Sequence, residues 1–375
     1  MHKMNRTITH LTSVHPRYDT RVFLRECCSL AKVEEYSVSL IVADNLGDEL
    51  KNDVSIYDVG KLDGRLNRVL KTTKKVFQKA KELDSDIYHF HDPELIPIGL
   101  KLKRMGKEVI FDVHEDTSSQ IKNKFYIPKP FRAMFGFMYS ILNGYIAKKF
   151  RLVLAEASYE AIYKDKTQDY IILQNFPDTK FLEPYRVVER RKNGIFYIGG
   201  VSNERGLDVT IKALKILKDR DIDFYMHYIG PIYSQNLIAD LDLEGIEDKI
   251  KFYGNMVLNE GFEISKECKV GLSVLKPVKN MQTSYSTKVF EYMAVNLPVI
   301  TSNFPLYQDV VETFHTGRCI DPQDGSELAD AIEYIFTHEE EAKVMGENGS
   351  RAVAEQFNWD IENRKLLALY EEILK

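Results

Sequence analysis

Short runs of β-branched and aromatic residues alternate with longer stretches of helical period along the whole chain, and the alternation starts afresh near residue 195. Strands are expected at residues 7–11, 37–42, 54–57, 87–90, 108–112, 152–155 and 170–173. Helical stretches at 20–31, 65–83 and 94–105 lie between them. After the charged segment 187–194 come strands at 195–198, 224–229, 250–252, 270–274, 298–301 and 318–320. Buried strands separated by helices mean βαβ units and parallel sheets. With 375 residues the chain can bury two cores. The expected division is 1–180, 181–356 and a terminal helix 357–375. In that helix Ile361, Leu366, Leu367, Tyr370 and Ile373 or Leu374 make one apolar stripe. Two such sheets facing each other leave a cleft, and open α/β sheets bind ligands at the carboxyl ends of their strands.

Charge and cysteines exclude several classes. The net charge of −5 argues against a nucleic-acid binder. Cys27, Cys28, Cys268 and Cys319 have no metal-ligand spacing, so reduced thiols and a cytoplasmic location are expected. The opening MHKMNRTITH lacks the apolar run of a signal peptide. The longest apolar stretch, 133–142, is too short to span a bilayer.

Two segments of the second half could hold a diphosphate. In YIGGVSNERGLDV a strand ends, Gly199 and Gly200 let the backbone turn closely, and a helix starts near Gly206 or Leu207. Such a turn presents free backbone N–H groups to an anion, and Arg205 beside it matches phosphate oxygens in a forked geometry. A plain strand–helix turn with a solvated arginine would read the same way. In TSYSTKVFEYMAVNLPVI, residues 284–288 read as a helix start carrying Ser286 and Thr287. Thr287, Lys288 and Glu291 then share one helix face. The helix terminus and the ammonium suit a diphosphate, and the carboxylate suits two ribose hydroxyls. A surface Lys–Glu pair is the plainer alternative.

In this order, the two segments resemble the nucleotide-sugar-binding half of family-four retaining glycosyltransferases, a GT-B group that builds bacterial surface polysaccharides. Arg205 stands at the family's basic position after the glycine turn. Glu291 matches the second of two glutamates placed eight residues apart. This sequence departs twice: Thr283 stands where the first glutamate is usual, and Gly200 stands where many members carry an arginine. The resemblance implies an α/β protein of two Rossmann-like domains facing across a cleft, with the C-terminal helix packing back toward the first. It implies a nucleotide-diphosphate sugar as substrate, a UDP-sugar foremost, and no required metal or other cofactor.

Family-like segments continue through the first half. His15, Asp19 and Arg21 are expected in the loop after the first strand, and His91 and Asp92 end another strand. His114 and Glu115 end the next, and Asn175 lies in a turn like the family's interdomain turn. A histidine at a strand end is commonly a structural hydrogen bonder; three polar clusters at successive strand ends point to a cleft lining. In relatives the position like His114 faces donor sugar and acceptor. Asp92 and Glu115 are the alternative bases. The triplets 84–86 and 221–223 mimic the Asp–x–Asp metal motif of GT-A transferases, but both precede strands, where that motif does not work.

Residues 117–155 contain no acidic residue but hold Lys122, Lys124, Lys129, Arg132, Lys148, Lys149 and Arg151 among eight Phe or Tyr. Basic residues interleaved with aromatics suit an anionic membrane surface. The alternative makes Phe135, Met138 and Leu142 core, with the bases solvating helix ends. The chain is therefore expected to be a cytoplasmic, peripheral membrane glycosyltransferase. Its acceptor would be a saccharide or a polyprenyl-diphosphate-linked sugar, with no nucleic-acid partner. The alternatives are a GT-B-shaped nucleotide-sugar epimerase and a non-enzymatic two-domain sugar-binding protein.

Overall fold

The computed structural model describes residues 6–114, 138, 140–187, 192–232 and 237–375, without the side chains of residues 279 and 280. Glu115, Lys122, Lys124, Lys129, Arg132 and Phe135 lie outside the described residues. The chain divides into two compact units, one of residues 1–175 with 362–375 and one of residues 176–361.

The first unit is built on strands β1 (Arg6–Leu11), β2 (Tyr36–Val42), β3 (Glu49–Lys51), β4 (Val54–Asp58), β5 (Ile87–Phe90), β6 (Glu108–Val113), β7 (Arg151–Leu154) and β8 (Tyr170–Ile172). Their order in the sheet is β3-β4-β2-β1-β5-β6-β7-β8. Every pairing is parallel except β3 with β4. The central strands are buried on both faces, as in a sheet covered on both sides. The strand order reverses around β1, which pairs with β2 on one side and β5 on the other. The carboxyl ends of β1, β5 and β6 therefore lie side by side at this switch point. Above the core, Phe90 and Phe111 stack at 4.6 Å, with Phe150 edge-on to Phe90.

Three features differ from the sequence reading. Strand β3 was not expected, because its residues are charged and exposed. It forms because Asn52 and Asp53 both adopt positive φ, 50° and 60°, the requirement of a two-residue hairpin turn. Residues Thr20–Cys27 form a π-type helix, whose i→i+5 bonding aligns residues five apart. Asp19 caps it by accepting from the backbone N–H groups of Arg21 and Val22. In the last helix, Trp359–Ile373, the deeply buried face is Glu362, Leu366, Leu369 and Tyr370, whereas Ile361 and Leu367 are half-buried. Glu362 lies on that face because its Oε2 accepts from Gln174 N–H at 2.9 Å, which hides the apolar period.

The second unit carries β9 (Gly194–Ile198), β10 (Tyr225–Ile229), β11 (Ile250–Gly254), β12 (Cys268–Ser273), β13 (Val299–Ser302) and β14 (Gly317–Ile320). All are parallel, in the order β11-β10-β9-β12-β13-β14. The helix Thr287–Ala294 is keyed to this sheet by Tyr292. Its ring lies on Gly271, where an added Cβ would stand 2.4 Å from the ring. Its hydroxyl oxygen accepts from Ile198 N–H at 3.0 Å. One side chain thus fixes the helix over the end of β9.

We expect Gly271→Ala to destabilise the protein by about 1–3 kcal/mol, the usual range for overpacking a rigid core. Urea unfolding of the two proteins measures this, and equal midpoints would refute the keying role of Tyr292.

Candidate active site

In the second unit, β9 ends at Ile198 and the chain turns at Gly199, whose φ is +134°. A Cβ built on Gly199 would stand 3.0 Å from Lys288 Nζ and 3.9 Å from an Arg205 guanidinium nitrogen. The two cations therefore converge over this glycine. Gly200 is buried beside it, and its carbonyl accepts from Tyr197 O–H. Gly206, in the left-handed region, opens the helix Leu207–Asp219 with no side-chain cap. The helix Thr287–Ala294 likewise starts after Ser286 with no side-chain cap. By contrast, Asp324 caps the helix Gly325–Thr337 by accepting from two backbone N–H groups. Ser284, expected inside the helix start, is extended instead. The Tyr307 hydroxyl pins this lead-in, donating to Ser284 O and accepting from Ser286 N–H.

Lys288 is the anomaly of this unit. Its side chain is buried, its Nζ has no hydrogen-bond partner among the described residues, and it sits 3.9 Å from the centroid of the Tyr197 ring. Burial, and then the charge of Arg205, push its pKa down to about 7, against a smaller pull from Glu291. A buried cation without a partner is unfavourable unless something neutralises it. Glu291, half-exposed, follows one turn later on the same helix. The arrangement can hold a multiply charged anion, with the carboxylate placed for hydroxyl groups nearby.

In the first unit the expected strand-end residues do come together. His15 sits between two carboxylates, with Nδ1 3.3 Å from Asp19 and Nε2 3.5 Å from Asp92. Burial disfavours its charged form, but the hydrogen bond to Asp19 and the charges of Asp92, Asp19 and Asp112 raise its pKa above the usual value. Asp92 is buried, and its Oδ2 accepts from Thr12 O–H, Ser13 N–H and Ser13 O–H. His114 keeps 16% of its side chain exposed and lies 2.6 Å from Asp112 Oδ2 through Nε2.

Two residues take roles other than those expected. Arg21 is inside the helix rather than in the loop, and its buried guanidinium forks onto both oxygens of Asp112 at 2.9 Å. It also donates to Leu173 O and Asn175 Oδ1, so it is a structural clamp. His91 is fully buried, with Nδ1 3.1 Å from Asp112 and Nε2 2.9 Å from His10 Nδ1. Around them are residues the sequence reading missed: His10, Glu26, His89, Asp112 and Tyr370. Burial drives His10 and His89 to the neutral form and lowers His91 to about 4. Burial and the nearby Asp112 raise the Glu26 carboxyl well above its usual range, despite Arg21. Asp112 goes the other way: burial opposes its charge, but Arg21 and His114 hold it ionised. The signal was alternation, since His89, His91, Asp112 and His114 are polar residues two apart that share one face of neighbouring strands. Two groups bring possible metal-ligand atoms within 4.8 Å, namely His10, Glu26, His89 and His91, and His91, Asp112 and His114.

Residues 183–352 match the family Glycosyl transferases group 1. This segment belongs to the group 1 glycosyl transferases. The full chain resembles sucrose-phosphate synthase from Thermosynechococcus elongatus with a TM-score of 0.75 at 14% identity, covering 98% of this chain and 99% of that one. It resembles HepE from Anabaena, solved in complex with UDP-glucose, with a TM-score of 0.73 at 13% identity over 98% and 99% of the chains. These likenesses show the GT-B fold, two parallel-sheet units in one chain. Among curated proteins, CapM, a capsular polysaccharide biosynthesis glycosyltransferase of Staphylococcus aureus, is 24% identical over 250 residues. That alignment covers 63% of this chain and 60% of the length of the relative.

The group 1 segment contains both diphosphate candidates. Within it, Thr283 is exposed at the end of the short helix Lys279–Thr283, and Gly200 offers no side chain. Positive charge near the turn therefore comes from Arg205 and Lys288. The triplets 84–86 and 221–223 sit at helix ends, with Asp84 and Asp221 at positive φ. Asp86 accepts from Thr7 and Asp223 pairs with Lys249.

We expect Lys288→Met to raise the melting temperature of the ligand-free protein. The folded pKa lies below the unfolded one, so the unfolded state binds the extra proton and the burial penalty is full below pH 7. It fades as pH rises toward the unfolded value near ~10.4. The gap between variant and wild type should therefore be widest at pH 6 and narrow by pH 9 in scanning calorimetry. A variant less stable than wild type at pH 6 would show that Lys288 is paired.

Proposed function

We propose that the chain is a hexosyltransferase that moves a sugar from a nucleotide-diphosphate sugar, a UDP-sugar, with retention of configuration. The observation that carries this is the buried Lys288 beside Arg205, its Nζ without a hydrogen-bond partner among the described residues, at a glycine turn between two helix starts that lack side-chain caps. Negative charge grows on the diphosphate as the glycosidic bond breaks, and fixed positive charge and helix N-termini stabilise that leaving group. Glu291 accepts the ribose hydroxyls. Group 1 membership of this segment and the UDP-glucose complex of HepE support the same reading. The first unit supplies the acceptor side, where His114 meets a sugar hydroxyl. The transfer step needs no metal.

The acceptor is a saccharide or a polyprenyl-diphosphate-linked saccharide, met on the inner face of a membrane. Met138, Ile141, Leu142 and Tyr145 are exposed, and exposed Lys148 and Lys149 follow them. Met138 and Leu142 are thus not core, and apolar residues followed by lysines fit an anionic lipid surface. Arg151 drops out of this patch. It pairs with Asp169, just before β8, and with Glu372 of the last helix.

A release-and-transfer assay tests the proposal across UDP-, GDP- and ADP-sugars, with and without lipid-linked acceptor and with chelator. We expect UDP-sugar turnover that survives chelation. Glu291→Ala should weaken UDP binding at least tenfold, since hydrogen bonds to charged groups contribute about 1.5–3 kcal/mol. UDP affinity should hold at and below pH 7 and decline above it. A bound diphosphate raises the Lys288 pKa, so binding at higher pH must first add a proton. In Lys288→Met that decline should vanish. UDP affinity that is flat from pH 6 to 9 in the wild type would remove Lys288 from the site. Separately, flotation with phosphatidylglycerol vesicles should carry the wild type, and Lys148→Glu with Lys149→Glu should lose it. Equal flotation would dismiss the patch.

A further inference from the structure

Hydrogen bonds run without a break from the last helix to the candidate active site. Tyr370 Oη lies 3.2 Å from His10 Nε2, and His10 Nδ1 lies 2.9 Å from His91 Nε2. His91 Nδ1 lies 3.1 Å from Asp112 Oδ2, which lies 2.6 Å from His114 Nε2. Tyr370 Oη also lies 2.9 Å from His89 Nδ1. Heavy-atom positions alone leave the protons unassigned, but the chemistry of the two ends fixes them.

Asp112 is ionised, clasped by both arms of the Arg21 guanidinium, so it can only accept. His114 Nε2, 2.6 Å from that carboxylate, must then carry hydrogen, whereas His91 Nδ1, 3.1 Å from it and 3.2 Å from His114 Nε2, either donates to Asp112 or accepts from His114. A neutral His91 with its proton on Nδ1 has a bare Nε2, which accepts from His10 Nδ1–H. A neutral His10 has in turn a bare Nε2, which accepts from the Tyr370 hydroxyl. The Tyr370 oxygen then accepts from His89 Nδ1–H, leaving His89 Nε2 bare. Among the described residues, His89 Nε2 is the buried histidine ring nitrogen with no hydrogen-bond partner. Run in the opposite sense, the row would place an N–H there with no acceptor, and orphaned buried N–H groups are rarer than under-used acceptors.

We infer that Asp112 is a positioning residue for His114. The Tyr370–His10–His91–Asp112 row holds His114 as its Nε2–H tautomer, so that bare Nδ1 is the atom offered to a sugar hydroxyl. This rests on the reading of His114 as the residue that meets substrate. It goes further by naming the acting nitrogen and the groups that set it. The titratable groups that meet His114 are His15 from the loop after β1 and His91 from the end of β5, with ring centroids 4.8 and 5.4 Å away, Asp112 from β6, and Tyr159, whose hydroxyl donates to the His114 carbonyl; Arg21 reaches it through Asp112. The same logic disfavours a metal at His91, Asp112 and His114. A metal needs bare nitrogens where Asp112 requires N–H, and would reverse the row onto His89.

Long-range proton–nitrogen correlation spectra of the full chain labelled with nitrogen-15 histidine read each tautomer directly, with resonances assigned by single substitutions. We expect Nε2–H at His114 and Nδ1–H at His91, His10 and His89, unchanged by added zinc chloride. Nδ1–H at His114, Nε2–H at His91, or a zinc-induced exchange at either would overturn the inference. Tyr370→Phe removes one hydroxyl from the row and should give mixed tautomers at His10. Unmixed tautomers in a folded variant would deny the row its directing role. Asp112→Asn should lower kcat for sugar transfer at least tenfold and shift its pH profile, with little change in KM for the nucleotide sugar. A changed KM with an unaltered kcat and pH profile would count against positioning. The wild-type spectrum decides the tautomers even if the variants fail to fold. It also stands apart from whether the chain transfers sugar at all.

Discussion

The bidentate pairing of Arg21 with Asp112 holds the first unit together at its functional end. The guanidinium reaches from the π-type helix to β6 and also grips Leu173 O and Asn175 at the end of that unit's sheet. Both partners are buried. Desolvating such a pair offsets much of its attraction, so its value is in specificity more than in net stability. Removing one partner would leave the other charged and unpaired, which costs about 3–5 kcal/mol. The π geometry belongs to the same constraint, because i→i+5 alignment lets Arg21 reach Glu26 as well. With Glu26 neutral, Arg21 and Asp112 balance each other, and the three buried imidazoles need no charge.

The second unit treats charge in the opposite way at the equivalent place, the carboxyl ends of its strands. Lys288 is buried next to another cation, its Nζ has no hydrogen-bond partner among the described residues, and the pull of Glu291 is the smaller effect on it. Tyr292 on Gly271 and the Tyr307 hydroxyl on the lead-in fix the backbone from which Lys288 projects. The cost of burying that charge is built into the unit, and a bound anion would offset it. One unit pairs its buried charges with one another, and the other buries Lys288 beside Arg205.

The strands were legible because parallel, doubly covered sheets need β-branched runs, and such runs survive any tertiary context. Strand β3 was not legible by that rule, since a charged edge strand made by an Asn52–Asp53 turn has no apolar signature. Lys288, Glu291 and Arg205 were legible because they lie within short segments where helix period and glycine turn are local facts. His10, Glu26, His89, Asp112 and Tyr370 were not, because each is an isolated polar residue in an apolar element. Only the register of β1, β5 and β6, and the return of the last helix, bring them together. Arg151 misled for the same reason: the sequence around it lacks acids, while its partners Asp169 and Glu372 come from far along the chain.

That last helix ties the two halves of this reading. Its deeply buried face includes Glu362, which accepts from Gln174 N–H just after β8, and Tyr370, whose hydroxyl bridges His10 and His89. An apolar residue at either position would pack as well and leave fewer buried polar groups to satisfy. A tyrosine hydroxyl, unlike a carboxylate, can both donate and accept, and the row needs one group that does both between two imidazoles. The residue choice at position 370 is therefore explained by direction rather than by packing. Direction matters only if something at the far end, at His114, depends on which nitrogen carries the proton.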